Sequence, residues 1–293
     1  MKFAIKYYYG CKAMERASEI ILRYEKPHKK LYSYTRNYTQ GQRIVLDITH
    51  YDSETILEDN IDIWRKTILT HRKMAIKLNE NQIYLMKDLA ENNIPFFLDT
   101  IVDNFEKLSA VASLGVSDVY ICNELGFSIK EVSLFCKAND INIRVYPNIA
   151  QSSCEQFPTD NLKKFFIRPE DLYLYEDYVD ILEFYVDNLD RQNVLYEIYN
   201  EKRWPDDLSY IILGLNESIS NAAIAPNFGE ARLNCKKKCS IGLCATCDRV
   251  RDFTKIVETI EQHTNKKLEI RRNDAGEEEN KDKSEENENA NEV

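Results

Sequence analysis

The chain lacks the features that would mark a membrane protein, an exported protein, a general nucleic-acid-binding protein or a serine hydrolase. It has no run of 18 consecutive apolar residues, so no transmembrane helix is predicted. The opening stretch MKFAIKYYYGCKAMER holds a charge at Lys6 where a signal peptide needs an unbroken apolar core. No stripe of Lys or Arg and no G-x-S-x-G motif occurs. We therefore expect a cytoplasmic protein that does not enter membranes.

Acidic residues outnumber basic ones, but most of the excess lies at the C-terminal end. The 293 residues carry a formal net charge of −10, and the last 20, DAGEEENKDKSEENENANEV, hold nine acids and two lysines. The rest of the chain therefore carries a net charge of only −3. With one apolar residue larger than alanine, this tail cannot bury enough surface to offset the entropy lost on ordering. The sequence predicts a disordered acidic tail over residues 272–293.

Eight short runs rich in β-branched and aromatic residues recur along the chain, each followed by a polar stretch that is compatible with a helix. Most runs begin 20 to 30 residues after the previous one, the length of a strand, a helix and two loops. Near-continuous apolar strands that alternate with helices predict a parallel sheet covered on both faces. The runs are 19–24, 43–48, 74–78, 95–99, 118–122, 141–146, 164–168 and 180–184.

The polar stretches between the runs carry signals for helix starts and ends. NENQ at residues 79–82 opens one predicted helix, and DNFE at residues 103–106 opens another that ends at Gly115. SIKE at residues 128–131 matches the capping-box pattern for a third helix. A closing helix is predicted over residues 252–263 from its apolar spacing.

Eight strand–helix units predict an α/β fold of the (β/α)8 barrel type, whose usual size is about 250 residues. An open doubly wound sheet is the alternative, but no glycine-rich loop follows any of the runs. We assign residues 1–203 to the barrel, 204–271 to a cysteine-rich segment with its closing helix, and 272–293 to the tail. The N-terminal run 3–8 then lies outside the eight strands, as an extra strand or a plug.

Polar side chains lie at the ends of the predicted strands, which in a barrel converge on one mouth where function is placed. A charge inside an apolar run, such as Lys77, needs a partner or a ligand because burying an unpaired charge is costly. Salt bridges across the mouth are the alternative explanation for any one of these residues. The candidate catalytic residues are Asp47, His50, Lys77, Asp99, Glu124, Arg168 and Glu183.

Two groups among these candidates have a more specific interpretation. His50 follows Asp47 by three residues and could act as a general base. Arg23, Lys77 and Arg168 could together hold a carboxylate or a phosphate, which favours a small anionic ligand.

Four of the eight cysteines lie within 13 residues, in the segment NCKKKCSIGLCATCD at residues 234–248. The spacing C-x3-C-x4-C-x2-C allows four thiolates to surround one metal ion or cluster. A zinc ribbon separates two C-x2-C pairs by a dozen or more residues, so the tighter spacing favours a [4Fe–4S] cluster. Zinc is the alternative, because compact four-thiolate zinc sites also occur. The predicted ligands are Cys235, Cys239, Cys244 and Cys247.

The other four cysteines have simpler interpretations. Cys11, Cys122 and Cys136 are predicted to be buried apolar side chains. Cys154 follows a predicted strand end, and it is a candidate extra ligand or reactive thiol.

The strand rhythm, the segment VSDVYICNE at residues 116–124 with the strand INIRVY at 141–146, and the downstream cysteines resemble the collagenase-like peptidase family. The resemblance covers roughly residues 18–250. It implies a barrel with an iron–sulfur centre, as in members that assist hydroxylation of RNA bases or of quinone precursors. The chain departs from the family in its tighter cysteine spacing and lacks the glycine-rich signature near the first cysteine. Peptidase activity is not implied, because the chain offers no evident nucleophile.

Two functions of different classes follow. In the first, the chain is an iron–sulfur enzyme that takes a small anionic or nucleobase-type substrate at the barrel mouth. In the second, the four cysteines form a structural zinc site in a non-catalytic binding or accessory protein, which would act through a protein partner.

Overall fold

The computed structural model describes residues 1–7, 11–24, 41–51, 60, 63–66, 73–122, 128–149, 151–152, 164–215 and 219–233. Nine strands in this part of the chain form one sheet in which every neighbouring pair is parallel. They are β1 Lys2–Lys6, β2 Glu19–Arg23, β3 Arg43–Asp47, β4 Met74–Leu78, β5 Phe96–Leu98, β6 Ile101–Val102, β7 Asp118–Ile121, β8 Asn142–Val145 and β11 Ile181–Glu183. Two further strands, β9 Gln151–Ser152 and β10 Lys164–Phe165, pair with each other in an antiparallel ladder.

The sheet curls until its two ends meet. Its strand order is β5-β4-β3-β2-β1-β11-β8-β7-β6, and the terminal strands β5 and β6 are separated in the chain by only Asp99 and Thr100. The backbone N–H of Ser117, just before β7, also donates to the carbonyl of Phe96 in β5 at 2.8 Å. The segment 96–102 therefore contacts β4 on one side and β7 on the other. The fold is α/β and barrel-like, as the spacing of the apolar runs predicts.

The strands of the curled sheet differ from the prediction at three places. β6, which comprises Ile101 and Val102, belongs to none of the predicted runs. The N-terminal run is β1, which pairs with β2 and β11 and is an integral strand of the curled sheet rather than an extra strand or plug. The run 164–168 is not part of that sheet, because its first two residues pair with β9 and the N–H of Ile167 donates to the carbonyl of Pro147 at 3.1 Å. The N-terminal run and the run 164–168 are both short and apolar. Only their pairing with neighbouring strands determines which of them belongs to the curled sheet.

The two faces of the sheet bury separate sets of apolar side chains, because successive residues of a strand point to opposite faces. One set lies inside the curl and includes Ala4, Ile21, Val45, Ala75, Phe97 and Tyr120. The other packs between the sheet and the surrounding helices and includes Ile5, Ile20, Leu46 and Ile76. The small residues Ala4 and Ala75 on the inner face leave room for the long polar side chains of neighbouring strands.

Helices lie in most of the described connections between the strands, and residues 63–66 are also helical. The α-helices are Met86–Glu91, Phe105–Ala112, Ile129–Ala138, Leu189–Asn200 and Phe228–Leu233. The 3-10 helices are Lys12–Glu15, Glu80–Leu85, Pro169–Leu174, Leu208–Tyr210 and Asn221–Ala223. Among the described residues, no helix is both long and apolar enough to cross a membrane.

Two of the three predicted helix starts have the expected caps. The side chain of Asn79 accepts from the N–H of Asn81 at 2.8 Å, and that of Asn104 accepts from the N–H of Lys107 at 2.8 Å. The predicted capping box at Ser128 is wrong in its chemistry, although the helix Ile129–Ala138 does begin there. Ser128 has φ −110° and ψ 16°, which is not extended, and its hydroxyl makes no capping hydrogen bond.

The predicted closing helix, the four-cysteine segment, Cys154 and the acidic tail all lie outside the described residues.

Candidate functional site

The C-terminal ends of four strands bring polar side chains together inside the curled sheet. We call Lys77, Asp99, Tyr146 and Glu183 the mouth cluster; they lie in β4, just after β5, just after β8 and in β11. The Lys77 ammonium is 3.0 Å from Asp99 Oδ1, 3.3 Å from Glu183 Oε1 and 3.2 Å from the Tyr146 hydroxyl. Its three N–H groups therefore face three oxygen atoms, and the ammonium is fully engaged.

The members of the mouth cluster differ in how far they reach solvent. The side chains of Lys77 and Glu183 are only 4% and 1% exposed, whereas that of Asp99 is 38% exposed. Asp99 therefore presents a carboxylate to solvent while the buried Lys77 holds it in place. A ligand at this end of the sheet would meet Asp99 first.

Opposite charges keep Lys77 and Glu183 ionised despite their burial. Burial alone would lower the pKa of Lys77, but the negative charge of Glu183, with Tyr146 and Asp99, holds that pKa well above its usual value. Burial would likewise raise the pKa of Glu183, but Lys77 and Arg144 lower it below its usual value. The pair is therefore a fixed charge pair at neutral pH.

Tyrosine rings form one wall of the mouth cluster. Tyr120 and Tyr146 stack with ring centroids 4.9 Å apart and planes 3° apart, and Tyr185 meets Tyr146 edge-on at 6.1 Å. Burial and the nearby charge of Glu183 raise the pKa values of Tyr120 and Tyr146 well above normal, so both hydroxyls stay protonated and donate. Tyr185 is 52% exposed, and Lys6 Nζ lies 5.4 Å from its ring centroid.

Glu183 also contacts polar side chains on the side away from the mouth. Its Oε2 accepts from the Tyr120 hydroxyl at 2.5 Å and from Arg144 Nη1 at 3.2 Å. Arg144 also donates to Glu19 through Nη2 and lies 3.4 Å from Asp118 through Nε. We call Glu183, Arg144, Glu19, Asp118 and Arg43 the axial network.

The axial network ends at Arg43, near the start of β3. Arg43 donates to both carboxylate oxygens of Asp118 at 2.6 Å and to Glu19 at 3.3 Å. Arg43 with its hydrogen bond, followed by Arg144, outweighs the effect of burial and lowers the pKa of Asp118. Charged side chains thus run along the inside of the sheet from one end to the other, with each carboxylate facing at least one cation.

Sequence reasoning located part of this arrangement. Lys77, Asp99 and Glu183 were candidates, and the structure brings them together at the predicted ends of strands. Glu19, Asp118, Arg43 and Arg144 were not candidates. Three of these four residues, Glu19, Arg43 and Asp118, are the first residue of a strand, and a charge at that position was the signal that could have identified them.

Asp47 and His50 lie at the end of β3, beside the mouth cluster. Asp47 pairs in register with Lys77, and its Oδ1 accepts from the N–H and the hydroxyl of Thr49 at 3.1 and 2.6 Å. His50 Nε2 is buried and has no hydrogen-bond partner among the described residues, and its ring lies 4.4 Å from that of Tyr51. Glu124 lies outside the described residues.

Arg168 lies in a different place from the mouth cluster. Its guanidinium is fully buried, contacts Asp171 at 2.6 Å and Asn221 at 3.2 Å, and lies between Trp204 and Phe228, with centroids at 5.9 and 5.5 Å. The three-cation anion site expected from Arg23, Lys77 and Arg168 is therefore not assembled, because Arg168 is enclosed by its own partners. Arg23 is an exposed residue at the end of β2.

Arg168 anchors the segment that precedes the cysteines. We call Arg168, Glu170, Asp171 and Asn221 the anchor cluster; Asn221 Nδ2 donates to Glu170 Oε1 at 2.7 Å. The helix Phe228–Leu233 approaches so closely that a Cβ on Gly229 would lie 2.5 Å from Asp171 Cγ. Any larger residue at position 229 would collide with the Asp171 carboxylate, which Arg168 holds in place.

Cysteines in the described part of the chain are buried. Cys11, Cys122 and Cys136 are free of disulfides and buried, as predicted, and burial raises the pKa of Cys136 to about 12. Among the described residues no group of three or more His, Cys, Asp or Glu side chains could hold a metal ion. The predicted ligands Cys235, Cys239, Cys244 and Cys247 lie beyond those residues.

Comparisons with known proteins do not identify the chain. No protein-family model and no curated protein matches it. One solved structure with a similar shape is tryptophan synthase from Mycobacterium tuberculosis, with 12% sequence identity and a TM-score of 0.39 over 69% of this chain and 91% of that chain. A likeness at this level carries no argument about activity.

Proposed function

We propose that this protein is an enzyme whose barrel mouth binds a small substrate of the nucleobase type. The observation that supports the proposal is the Asp99 carboxylate, which is 38% exposed yet held 3.0 Å from the buried ammonium of Lys77. A carboxylate fixed in this way accepts N–H groups, which the hydrogen-bonding edge of a nucleobase provides. Hydrogen bonds that involve a charged group contribute about 1.5–3 kcal/mol each.

The contacts favour a nucleobase over a small anion. The Lys77 ammonium is already shared by Asp99 and Glu183, so it has no free N–H group for a phosphate or a carboxylate. An anion would also meet the exposed Asp99 charge and be repelled by it. A neutral heterocycle avoids that repulsion and donates to the same carboxylate.

Tyr185 supplies a second type of contact for a planar ring. Its side chain is 52% exposed at the mouth, and its ring is oriented by Tyr146 at 6.1 Å. Stacking of a base on an aromatic side chain contributes about 1–3 kcal/mol. An acceptor and an aromatic surface at one end of the sheet are the two elements by which proteins hold single bases.

We further propose that the cysteine segment carries an iron–sulfur cluster. Cys235, Cys239, Cys244 and Cys247 would hold a [4Fe–4S] cluster, and Lys236–Lys238 would offset the charge of the four thiolates. When bound, such a cluster supplies one-electron redox chemistry. This agrees with the hydroxylation-type activity that the resemblance to the collagenase-like peptidase family implies, and no peptidase activity is proposed.

Nucleoside binding tests the mouth. Wild-type protein prepared without oxygen should bind at least one of the four common ribonucleosides in a calorimetric titration. Asp99→Asn should weaken that binding at least ~tenfold, because removing the charge costs about 1.4 kcal/mol or more. Asp88→Asn, which changes an exposed helix residue, is the matched control and should bind as wild type. Failure of all four nucleosides to bind, or equal binding by Asp99→Asn and wild type, would exclude the nucleobase site.

Metal analysis tests the cluster. Anaerobically purified protein should be brown, absorb broadly in the visible range and contain iron. Cys244→Ala should lose the iron and the colour, whereas Cys136→Ala, which removes a buried thiol of the fold, should keep them. A colourless protein with one zinc ion per chain would reject the redox enzyme and favour the accessory protein with a structural zinc site.

A further inference from the structure

A large cavity, open to solvent on one side, lies at the end of the sheet opposite the mouth cluster. Its volume is about 1070 Å³, and its walls are formed by residues at or just before the starts of strands, among them Lys2, Glu19, Arg43 and Met74. The interior of a closed parallel barrel is normally filled by side chains. Small-molecule sites in proteins occupy about 300–1,000 Å³, so this space is large enough for a ligand.

The floor of the cavity is polar and its charges are already paired. Arg43, whose side chain is 20% exposed, donates to Asp118 and Glu19 and closes the axial network on this side. Ser117 donates to Asp118 at 2.6 Å and also lines the cavity. The floor therefore presents a rigid surface with little uncompensated charge.

Two lysines at the rim differ from the paired charges of the floor. Lys2 and Lys73 are exposed and line the cavity, and among the described residues neither faces a carboxylate. Within the described part of the chain, Lys73 Nζ donates only to the carbonyl of Gly41, at 2.9 Å. One acid, Glu15, lies on the same rim. Arg43 and Glu19 are compensated within the axial network, so Lys2 and Lys73 against Glu15 leave one positive charge in excess at the rim.

Apolar side chains complete the walls. Met14, Ala17, Met74 and Ile181 are buried residues that line the cavity, and Pro95 lines it at the rim. A ligand that fills this space would cover apolar surface with its body and place a negative charge near the rim lysines. An inorganic anion would place a negative charge near the rim lysines but would not cover the apolar surface.

We propose that this cavity is a second ligand site, separate from the mouth, for an organic anion with an apolar or aromatic body. Lys2 and Lys73 bind the anionic group, and the wall of Met14, Met74 and Ile181 contacts the body. Contact with this wall removes apolar surface of the ligand from water, which raises the affinity beyond that of an exposed charge pair.

The probe for this site is the aromatic anion 8-anilinonaphthalene-1-sulfonate, whose fluorescence rises when it leaves water. The full chain should bind it saturably, with an affinity that falls as salt increases. Lys2→Glu and Lys73→Glu should each weaken binding at least ~tenfold, and Lys73→Gln should have an intermediate effect. Unchanged thermal unfolding curves would show that the variants remain folded.

Two controls assign the binding to this end of the sheet. Lys87→Glu changes a lysine that is 83% exposed on a helix, and it should bind the dye as wild type does. Asp99→Asn at the mouth should also leave dye binding unchanged. The proposal is rejected if the dye does not bind saturably, if the rim variants bind it as wild type does, or if Lys87→Glu or Asp99→Asn weakens binding as much as they do.

Discussion

Two ion clusters in the described part of the chain, the axial network and the anchor cluster, are both buried but differently paired. In the axial network Glu183 is 1% exposed and contacts Lys77, Arg144 and Tyr120. In the anchor cluster Glu170 is 7% exposed and contacts Arg168 and Asn221 through one oxygen only. Its second oxygen, Oε2, is buried without a hydrogen-bond partner among the described residues.

The number of cations alone does not decide the ionisation of a buried carboxylate, because Glu19 has two, Arg144 and Arg43, and burial still raises its pKa. The difference between Glu183 and Glu170 shows that partners prevail over burial only where their combined effect is large enough. Burial raises the pKa of both groups, but two cations and a tyrosine hydroxyl reverse the effect at Glu183, whose pKa is lowered. At Glu170 burial prevails over Arg168 and Asn221, and the pKa is raised. Glu183 is therefore a fixed charge, whereas Glu170 is the carboxyl group that protonates more readily.

The largest effect on stability that we expect comes from removing Arg144, the central cation of the axial network. Arg144→Met leaves Glu19, Asp118 and Glu183 buried without that cation. Loss of one partner from a buried ion cluster costs about 3–5 kcal/mol. Urea unfolding followed by circular dichroism should show this loss in the free energy of unfolding, or no folded protein at all.

The matched control for Arg144→Met is Arg203→Met. Arg203 is 52% exposed and pairs with Glu201 at 2.7 Å on the surface. Its loss should cost less than about 1 kcal/mol. Similar losses in the two variants would mean that the axial network contributes no more than a surface ion pair.

A smaller effect, dependent on pH, should separate the two glutamates. Because the pKa of Glu170 is raised in the folded state, its contribution to stability is present below about pH 4.5 and is lost as the pH rises through the folded value. The Glu170→Gln variant has an uncharged side chain at every pH, so it removes this loss of stability. Its side-chain oxygen can still accept a hydrogen bond from Asn221. We expect the variant to be neutral or up to about 1 kcal/mol more stable than wild type at pH 7, with the difference shrinking toward pH 4.

Glu183→Gln should show the opposite sign. The lowered pKa of Glu183 means that its contribution is present above about pH 4.5 and is lost as the pH falls through the folded value. The variant should therefore be less stable than wild type at pH 7, and the difference should narrow on acidification. Unfolding curves at several pH values test both variants, and parallel pH profiles would contradict the comparison.

Much of the fold could be predicted from periodicity alone. Seven of the eight predicted runs are strands of the curled sheet, because near-continuous apolar runs are typical of buried parallel strands. The errors concern the two-residue strand β6, which was not predicted, β1, which has lysines at both ends, and the run 164–168, which is apolar but pairs elsewhere. Composition could not separate these two runs, since both are short and only strand pairing distinguishes them.

The candidate site could be predicted in part. Lys77 and Glu183 interrupt apolar runs and Asp99 ends one, which pointed to a polar cluster at the mouth. The charges beyond Glu183 could not be predicted, because Arg144 and its partner Glu19 are 125 residues apart in the chain. Arg168 looked like a mouth residue because it ends an apolar run, but that run is not in the sheet.

The sequence by itself determined where strands and helices form, because the apolar period and the capping residues act over a few neighbouring positions. It also determined the net charge, the acidic tail and the spacing of the four cysteines. Only the tertiary structure decided which charges neutralise each other. Curling the sheet places inward-facing side chains of distant strands within hydrogen-bonding distance, and in the buried interior each charge is stable only beside the partners that this geometry supplies.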